Sequence, residues 1–193
     1  MDSKYNVKFY NSIKKILKGP MKLVFNAEVN GLDNLPDRPY ILAGNHKTMF
    51  DVVLLITNIP NEIHFMSKKE LFKYKILSDI FSKMGAFPVA RDKVDVKAIK
   101  DAFRVLKNNE VLGIFPEGTR NNTDKLILPF KEGVTTIATK TNSLIVPFGI
   151  GGKYKRGKLK LNIGEPINIK EIEKEKQTDY LEEKVKELIL KKY

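Results

Sequence analysis

The sequence predicts an α/β protein: a single layered domain with a mixed central sheet flanked by helices, plus an N-terminal amphipathic helix. Three observations predict it. Short apolar runs of strand length alternate with segments of helical periodicity along the chain. The two segments richest in chemically useful side chains each follow a strand-like run, where ligands of open α/β sheets bind. Finally, 193 residues with no Gly/Ser- or Pro-rich linker, internal repeat or low-complexity tract suit one domain with a sizeable core.

Taken in order, residues 3–18 set Tyr5, Phe9, Ile13, Ile16 and Leu17 near helical spacing, with Lys4, Lys8, Lys14, Lys15 and Lys18 between them. That stripe fits a helix lying on anionic lipid, and equally a helix docked on the domain's own core. Gly19-Pro20 is expected to end it, dividing the chain into residues 1–20 and a main domain of residues 21–193. Strand-like segments follow over residues 23–29, 40–43, 63–66, 111–115 and 143–148. A further strand over residues 158–163 alternates as a more exposed one. Helices are expected over residues 50–57, then at Leu77/Ile80/Phe81/Met84, Ile99/Ala102/Phe103/Leu106 and Val134/Ile137/Ala138. The last helix, residues 180–190, sets Leu181, Val185, Leu188 and Ile189 on one face.

Composition narrows the function. The chain has no cysteine, so disulfides and thiolate metal sites are excluded, and a reducing cytoplasm fits. His46 and His64 stand far apart and make a poor metal set; His64, in a strand-like run, reads as structural. The formal net charge of +12 suggests an anionic partner: membrane lipid, nucleic acid or an acidic acyl carrier. A well-solvated lysine surface would give the same balance. No RNA-binding aromatic signature, helix-turn-helix or zinc motif is present, so no nucleic acid partner is expected. No window of 18 apolar residues could span a bilayer, and no secretory signal is evident.

Chemistry concentrates in Gly44-Asn45-His46-Lys47-Thr48-Met49-Phe50-Asp51. A neutral imidazole can take a proton from a hydroxyl near neutral pH, and a carboxylate on its other nitrogen fixes the tautomer. On one continuous helix, five residues put side chains roughly 140° apart, so the pair needs the turn between strand and helix in order to meet. Thr48-x-x-Asp51 also reads as a variant capping box, and the two readings are compatible. With no cysteine and no Gly-x-Ser-x-Gly elbow there is no recognisable protein nucleophile. The pattern therefore points to direct attack by a substrate hydroxyl on an acyl group.

Val111-Leu112-Gly113-Ile114-Phe115 runs into Pro116-Glu117-Gly118-Thr119-Arg120. Pro and Gly suit a tight turn, Gly118 permits close approach of a ligand, and Arg120 offers a planar fork for phosphate. An ordinary turn with a solvated arginine is the plain alternative. Against it, lysines number 30 and arginines five, so arginine at Arg120 and Arg91 is the unusual choice.

Asn45-His46-x-x-x-x-Asp51, Gly85-x-Phe87-x-Val89-x-Arg91, Phe115-Pro116-Glu117-Gly118-Thr119-Arg120 and Val146-Pro147-Phe148 resemble, in order, the four motifs of the glycerolipid acyltransferases. Within that family the similarity runs to bacterial members that acylate 1-acyl-glycerol 3-phosphate, and it covers residues 31–167. The resemblance implies His46 as general base and Asp51 as its partner. It implies that Arg91, Thr119 and Arg120, with the Gly118 backbone, hold the acceptor phosphate, helped by Lys68. Glu117 would hold that loop, and Pro147 would shape the floor of the site and the acyl path. Residues 21–193 would then be the acyltransferase domain.

The donor would be acyl-CoA or acyl-carrier protein, the acceptor a lysophospholipid, the product phosphatidic acid. No metal or organic cofactor is needed, since a thioester is already activated. The protein is expected to be peripheral on the cytoplasmic face of an anionic membrane. Thr48-Met49-Phe50 and Phe87-Pro88-Val89-Ala90 depart from the family's usual fillers and could alter acceptor choice. Another acceptor of the same class, or a basic membrane-binding module without catalysis, are the other readings.

Overall fold

A computed structural model describes residues 4–37, 39–90 and 94–191. Seven strands form one sheet in the order β1-β7-β6-β2-β5-β3-β4. They are β1 (Glu28–Asn30), β2 (Tyr40–Gly44), β3 (Ile63–Lys68), β4 (Phe87–Val89), β5 (Val111–Ile114), β6 (Leu144–Gly152) and β7 (Leu159–Ile163). Only β6 and β7 pair antiparallel; every other neighbouring pair is parallel, so the sheet is mixed as expected.

Central strands of a parallel sheet are covered on both faces and read as continuous apolar runs. β2 does so, with all five residues buried. Its Tyr40 and Leu42 join a cluster with α1 (Val7–Val24) and α2 (Phe50–Asn58). Ile41 and Ala43 join the opposite cluster, with α4 (Val96–Lys107), α5 (Gly133–Thr141) and α6 (Gln177–Leu190). A helix α3 (Lys75–Lys83) packs near α1 and buries none of its residues.

Several expectations need correction. α1 does not end at Gly19-Pro20 but continues to Val24, with Pro20 inside it. Proline forgoes one helical hydrogen bond, yet Met21 and Phe25 beyond it are buried in the core, and Phe25 N–H still donates to Met21 O at 2.9 Å. Tertiary burial outweighs the break. The expected strand over residues 23–29 shrinks to β1, which exists because Glu28, Val29 and Asn30 pair with β7. β7 is not an exposed strand: Leu159, Leu161 and Ile163 enter the α1/α2 cluster, and buried Asn162 donates to Leu188 O of α6 at 2.7 Å.

The stripe on α1 is docked only in its first part, Ile16 being 66% exposed. Tyr5, Phe9 and Ile13 pack on the core, and Tyr10, fully buried, accepts the Ile63 amide at its hydroxyl at 3.0 Å. Asn6 caps the helix by accepting from Phe9 N–H at 3.0 Å. Among the described residues, no helix is long and apolar enough to cross a membrane.

Candidate active site

β2 ends at Gly44, and the next five residues turn into α2, whose first turn carries Asp51. That turn brings His46 Nδ1 to 2.8 Å from Asp51 Oδ2. The same oxygen accepts the amides of Lys47 at 2.7 Å and Thr48 at 2.9 Å. Asp51 therefore both caps the turn and orients the imidazole, so the two sequence readings hold together. With Nδ1 so engaged, Nε2 is the ring nitrogen left to take a proton. His46 is buried and Asp51 wholly so, which keeps the pair's attraction from being screened by water.

Two further contacts fix the ring. Phe115, at the end of β5, stacks on it at 4.0 Å between centroids. Asn45, beside it, is clamped to β6: its side chain donates to Ile150 O at 2.9 Å and accepts Ile150 N–H at 2.8 Å.

Glu117 joins the two motif loops. One carboxylate oxygen accepts His46 N–H at 2.6 Å and the other accepts Leu128 N–H at 2.7 Å. Burial pushes its pKa up, partly offset by these two amides. His46 O in turn accepts Asn121 N–H at 2.7 Å. The loop is held without involving the side chains of Thr119 and Arg120, which are exposed. Among the described residues, Arg120 pairs with no carboxylate. Gly118 has φ +68°, and a Cβ there would come within 2.9 Å of the Lys131 side chain. The left-handed turn is what calls for glycine, since the flexible end of Lys131 could move aside.

The remaining expected residues fall in different places. Lys68 ends β3 in register with Val89, exposed, with Glu70 at 4.0 Å. Arg91 lies outside the described residues, just beyond Ala90. Pro147 sits in β6 opposite Ala43 of β2, with its ring beside Gly164 and Leu188 on the α6 side of the sheet. His64 is structural in setting: Nδ1 lies 3.1 Å from Gly85 O and its ring packs edge-on against Tyr5.

One residue of the site went unnoticed in the sequence. Tyr154, in the β6–β7 hairpin, donates its hydroxyl to Asp51 Oδ1 at 2.5 Å. Its pKa is pushed far above the usual phenol value, first by burial and then by the Asp51 charge, so it stays a donor. No local signal marks it, because it follows Asp51 by 103 residues.

A cavity of about 530 Å³ opens beside the second loop. Phe115, Pro116 and Gly118 border it, and Met66, Ala98, Ile99, Val134 and Ile137 make its walls mainly apolar. Among the described residues, no group of three or more His, Asp or Glu side chains is placed to hold a metal ion.

A buried His–Asp pair at the strand ends of an open α/β sheet, its imidazole stacked on Phe115, which borders an apolar cavity that neither His46 nor Asp51 lines, together with an arginine-bearing loop, is the layout of an enzyme acting on a molecule with apolar and anionic parts. The acyltransferase family model matches residues 26–151, and the chain belongs to that family. It is 39% identical over 168 residues to a Bacillus subtilis protein named 1-acyl-sn-glycerol-3-phosphate acyltransferase, covering 82% of this chain and 80% of that one. A Streptococcus pneumoniae protein of the same name is 33% identical, covering 77% of this chain and 58% of that one. The crystal structure of the 1-acyl-sn-glycerophosphate acyltransferase PlsC from Thermotoga maritima has a TM-score of 0.75 and 29% identity, covering 92% of this chain and 76% of that one.

Proposed function

We propose that this acyltransferase moves a fatty acyl group from a thioester to the free hydroxyl of 1-acyl-glycerol 3-phosphate, giving phosphatidic acid. The observation that carries the reading is the His46 Nδ1–Asp51 Oδ2 contact of 2.8 Å, which leaves Nε2 for the substrate. His46 Nε2 takes the hydroxyl proton as the oxygen attacks the thioester carbonyl carbon. The C–S bond then breaks, and the departing sulfur takes the proton back from the imidazolium. Asp51 holds the ring in the required tautomer and stabilises its charged form.

The acceptor phosphate is held by Arg120, Thr119 and the Gly118 backbone, with Lys68 at the end of β3 and Arg91 as further cations. A planar guanidinium can grip two phosphate oxygens at once. Glu117 keeps that loop against His46. An acyl chain occupies the cavity between α4 and α5, whose mainly apolar walls suit hydrocarbon and little else. Pro147 shapes the floor of the site through the sheet, in β6 opposite Ala43 of β2, and is not among the residues that line the cavity. The thioester is acyl-CoA or acyl-carrier protein; the positive net charge favours either anionic donor.

The protein works as a peripheral protein on an anionic membrane surface. With Tyr5, Phe9 and Ile13 docked on the core and Ile16 left exposed, the main support comes from residues 71–80. There Tyr74 is 68% and Ile76 76% exposed, with Leu71, Leu77 and Ile80 also exposed, among Lys69, Lys73 and Lys75. Apolar side chains flanked by lysines suit an interface with anionic lipid.

The test is a thioester-release assay with lysophosphatidic acid, glycerol 3-phosphate and neutral lysolipids as acceptors, each with both donors. Release driven best by lysophosphatidic acid supports the reading. Preference for another acceptor moves the protein within its family, and no release with any acceptor removes the catalytic assignment.

A further inference from the structure

We propose that Tyr154 is a positioning residue for the His46–Asp51 pair, setting the charge that Asp51 presents to the imidazole. This rests on the reading of His46 as the base.

Asp51 is wholly buried, so neither carboxylate oxygen is solvated by bulk water. Oδ2 meets His46 Nδ1 and the amides of Lys47 and Thr48. Oδ1 takes the Tyr154 hydroxyl at 2.5 Å and the Thr48 hydroxyl at 3.2 Å. The phenol thus supplies the shorter of the two contacts on the oxygen that does not face the histidine. A hydrogen bond to a buried carboxylate draws charge from it and fixes its rotation. Weaken that bond and the carboxylate becomes a stronger partner for the imidazolium, so His46 holds its proton to higher pH.

The hydroxyl is placed from a distance. Tyr154 lies edge-on to Phe25, with ring centroids 6.2 Å apart, and Phe25 lies edge-on to Phe50 of α2 at 5.3 Å. Gly157 N–H donates to Phe25 O at 2.7 Å, and the Arg156 guanidinium donates to Leu23 O at the end of α1. The hairpin is therefore seated on the C-terminal end of α1, and that seat aims the phenol at Asp51. Among the described residues, the other charged groups around the pair are Glu117, whose carboxylate accepts the His46 amide, and the Lys47 side chain near Glu117. Arg156 is turned toward the α1 carbonyls.

The experiment is Tyr154→Phe, which keeps the ring and removes only the hydroxyl. Two readouts are taken: kcat and KM across pH with lysophosphatidic acid, and the His46 titration by NMR of the ring nitrogens. With only two histidines in the chain, His46 is assigned by difference against a His64 variant. The expected result is a fall in kcat of about tenfold with KM within about twofold, the loss of one charge-assisted hydrogen bond being felt only in part. The His46 titration and the acid limb of kcat/KM should both move to higher pH.

An unchanged titration overturns the proposal, even where activity falls, because a merely structural tyrosine would lower rate and stability without moving the histidine. A shifted titration in a protein that fails to acylate lysophosphatidic acid upholds the positioning contact and rejects the acceptor. As a second variant, Phe25→Leu loosens the seat of the ring and leaves the hydroxyl in place. A folded Phe25→Leu protein must shift the His46 titration in the same direction; a fixed titration there also overturns the proposal.

Discussion

Glu117 accepts the backbone amide of His46 at 2.6 Å, joining the turn that holds the imidazole to the loop that bears Arg120. The contact crosses 71 residues of sequence, and the second carboxylate oxygen, on Leu128 N–H, closes the far side of the loop. One buried carboxylate thus sets the distance between the His46 turn and the Arg120 loop.

Glu117→Gln should therefore act at both places. The amide side chain offers one acceptor where two are needed and turns an NH2 toward a backbone N–H. Leaving a buried donor unmatched costs about 1–3 kcal/mol. Urea unfolding should give a lower midpoint, and turnover should fall. The pH dependence has a defined sign. Because burial raises the Glu117 pKa, the folded state binds the extra proton over a window starting at the ordinary glutamate value of 4.5 and extending upward. Wild-type stability relative to Glu117→Gln should thus decline as pH rises through that window. A difference that grows with pH would contradict it.

Arg120→Lys retains charge but loses the fork. KM for the phosphorylated acceptor should rise roughly 3- to 30-fold with a smaller change in kcat. An acceptor with a neutral group in place of phosphate should lose little further. Equal relative losses with both acceptors would make Arg120 a structural residue.

Ala98→Phe places a ring in the cavity between α4 and α5. Long-chain substrates should lose about tenfold or more in kcat/KM, and short-chain ones little. A uniform loss across chain lengths would mean that the cavity does not hold an acyl chain.

Much of this layout was legible in the sequence. Continuous apolar runs mark β2 and β5 because both faces of those strands are buried, and the motif residues sit at their ends. The end of α1 was misread because Gly19-Pro20 is a local stop signal, while burial of Met21 and Phe25 is a tertiary fact. β1 was misplaced for the same reason: a three-residue strand is defined by its partner, Lys160–Asn162 of β7. His46 and Asp51 were found because they are five residues apart, whereas Tyr154 reaches the same carboxylate from a distant hairpin.

The proposed membrane contact can be tested at residues 71–80 and at α1. Tyr74→Ser with Ile76→Ser should reduce flotation with vesicles rich in phosphatidylglycerol while leaving the fold intact, since both residues are exposed. Wild-type binding should weaken as salt rises. Removing residues 1–18 should instead destabilise the domain, because it takes fully buried Tyr10 from the core; truncating such an aromatic costs about 3–5 kcal/mol. Unchanged flotation of the double variant would remove residues 71–80 from the interface.

The most direct measurement is turnover of His46→Ala with lysophosphatidic acid and a long-chain acyl thioester, alongside circular dichroism and melting. His46 caps no helix and is buried only at the site, so the fold should survive while kcat falls by roughly 10²–10⁴-fold. A folded His46→Ala protein that keeps more than about a tenth of wild-type turnover would show that His46 is not the base.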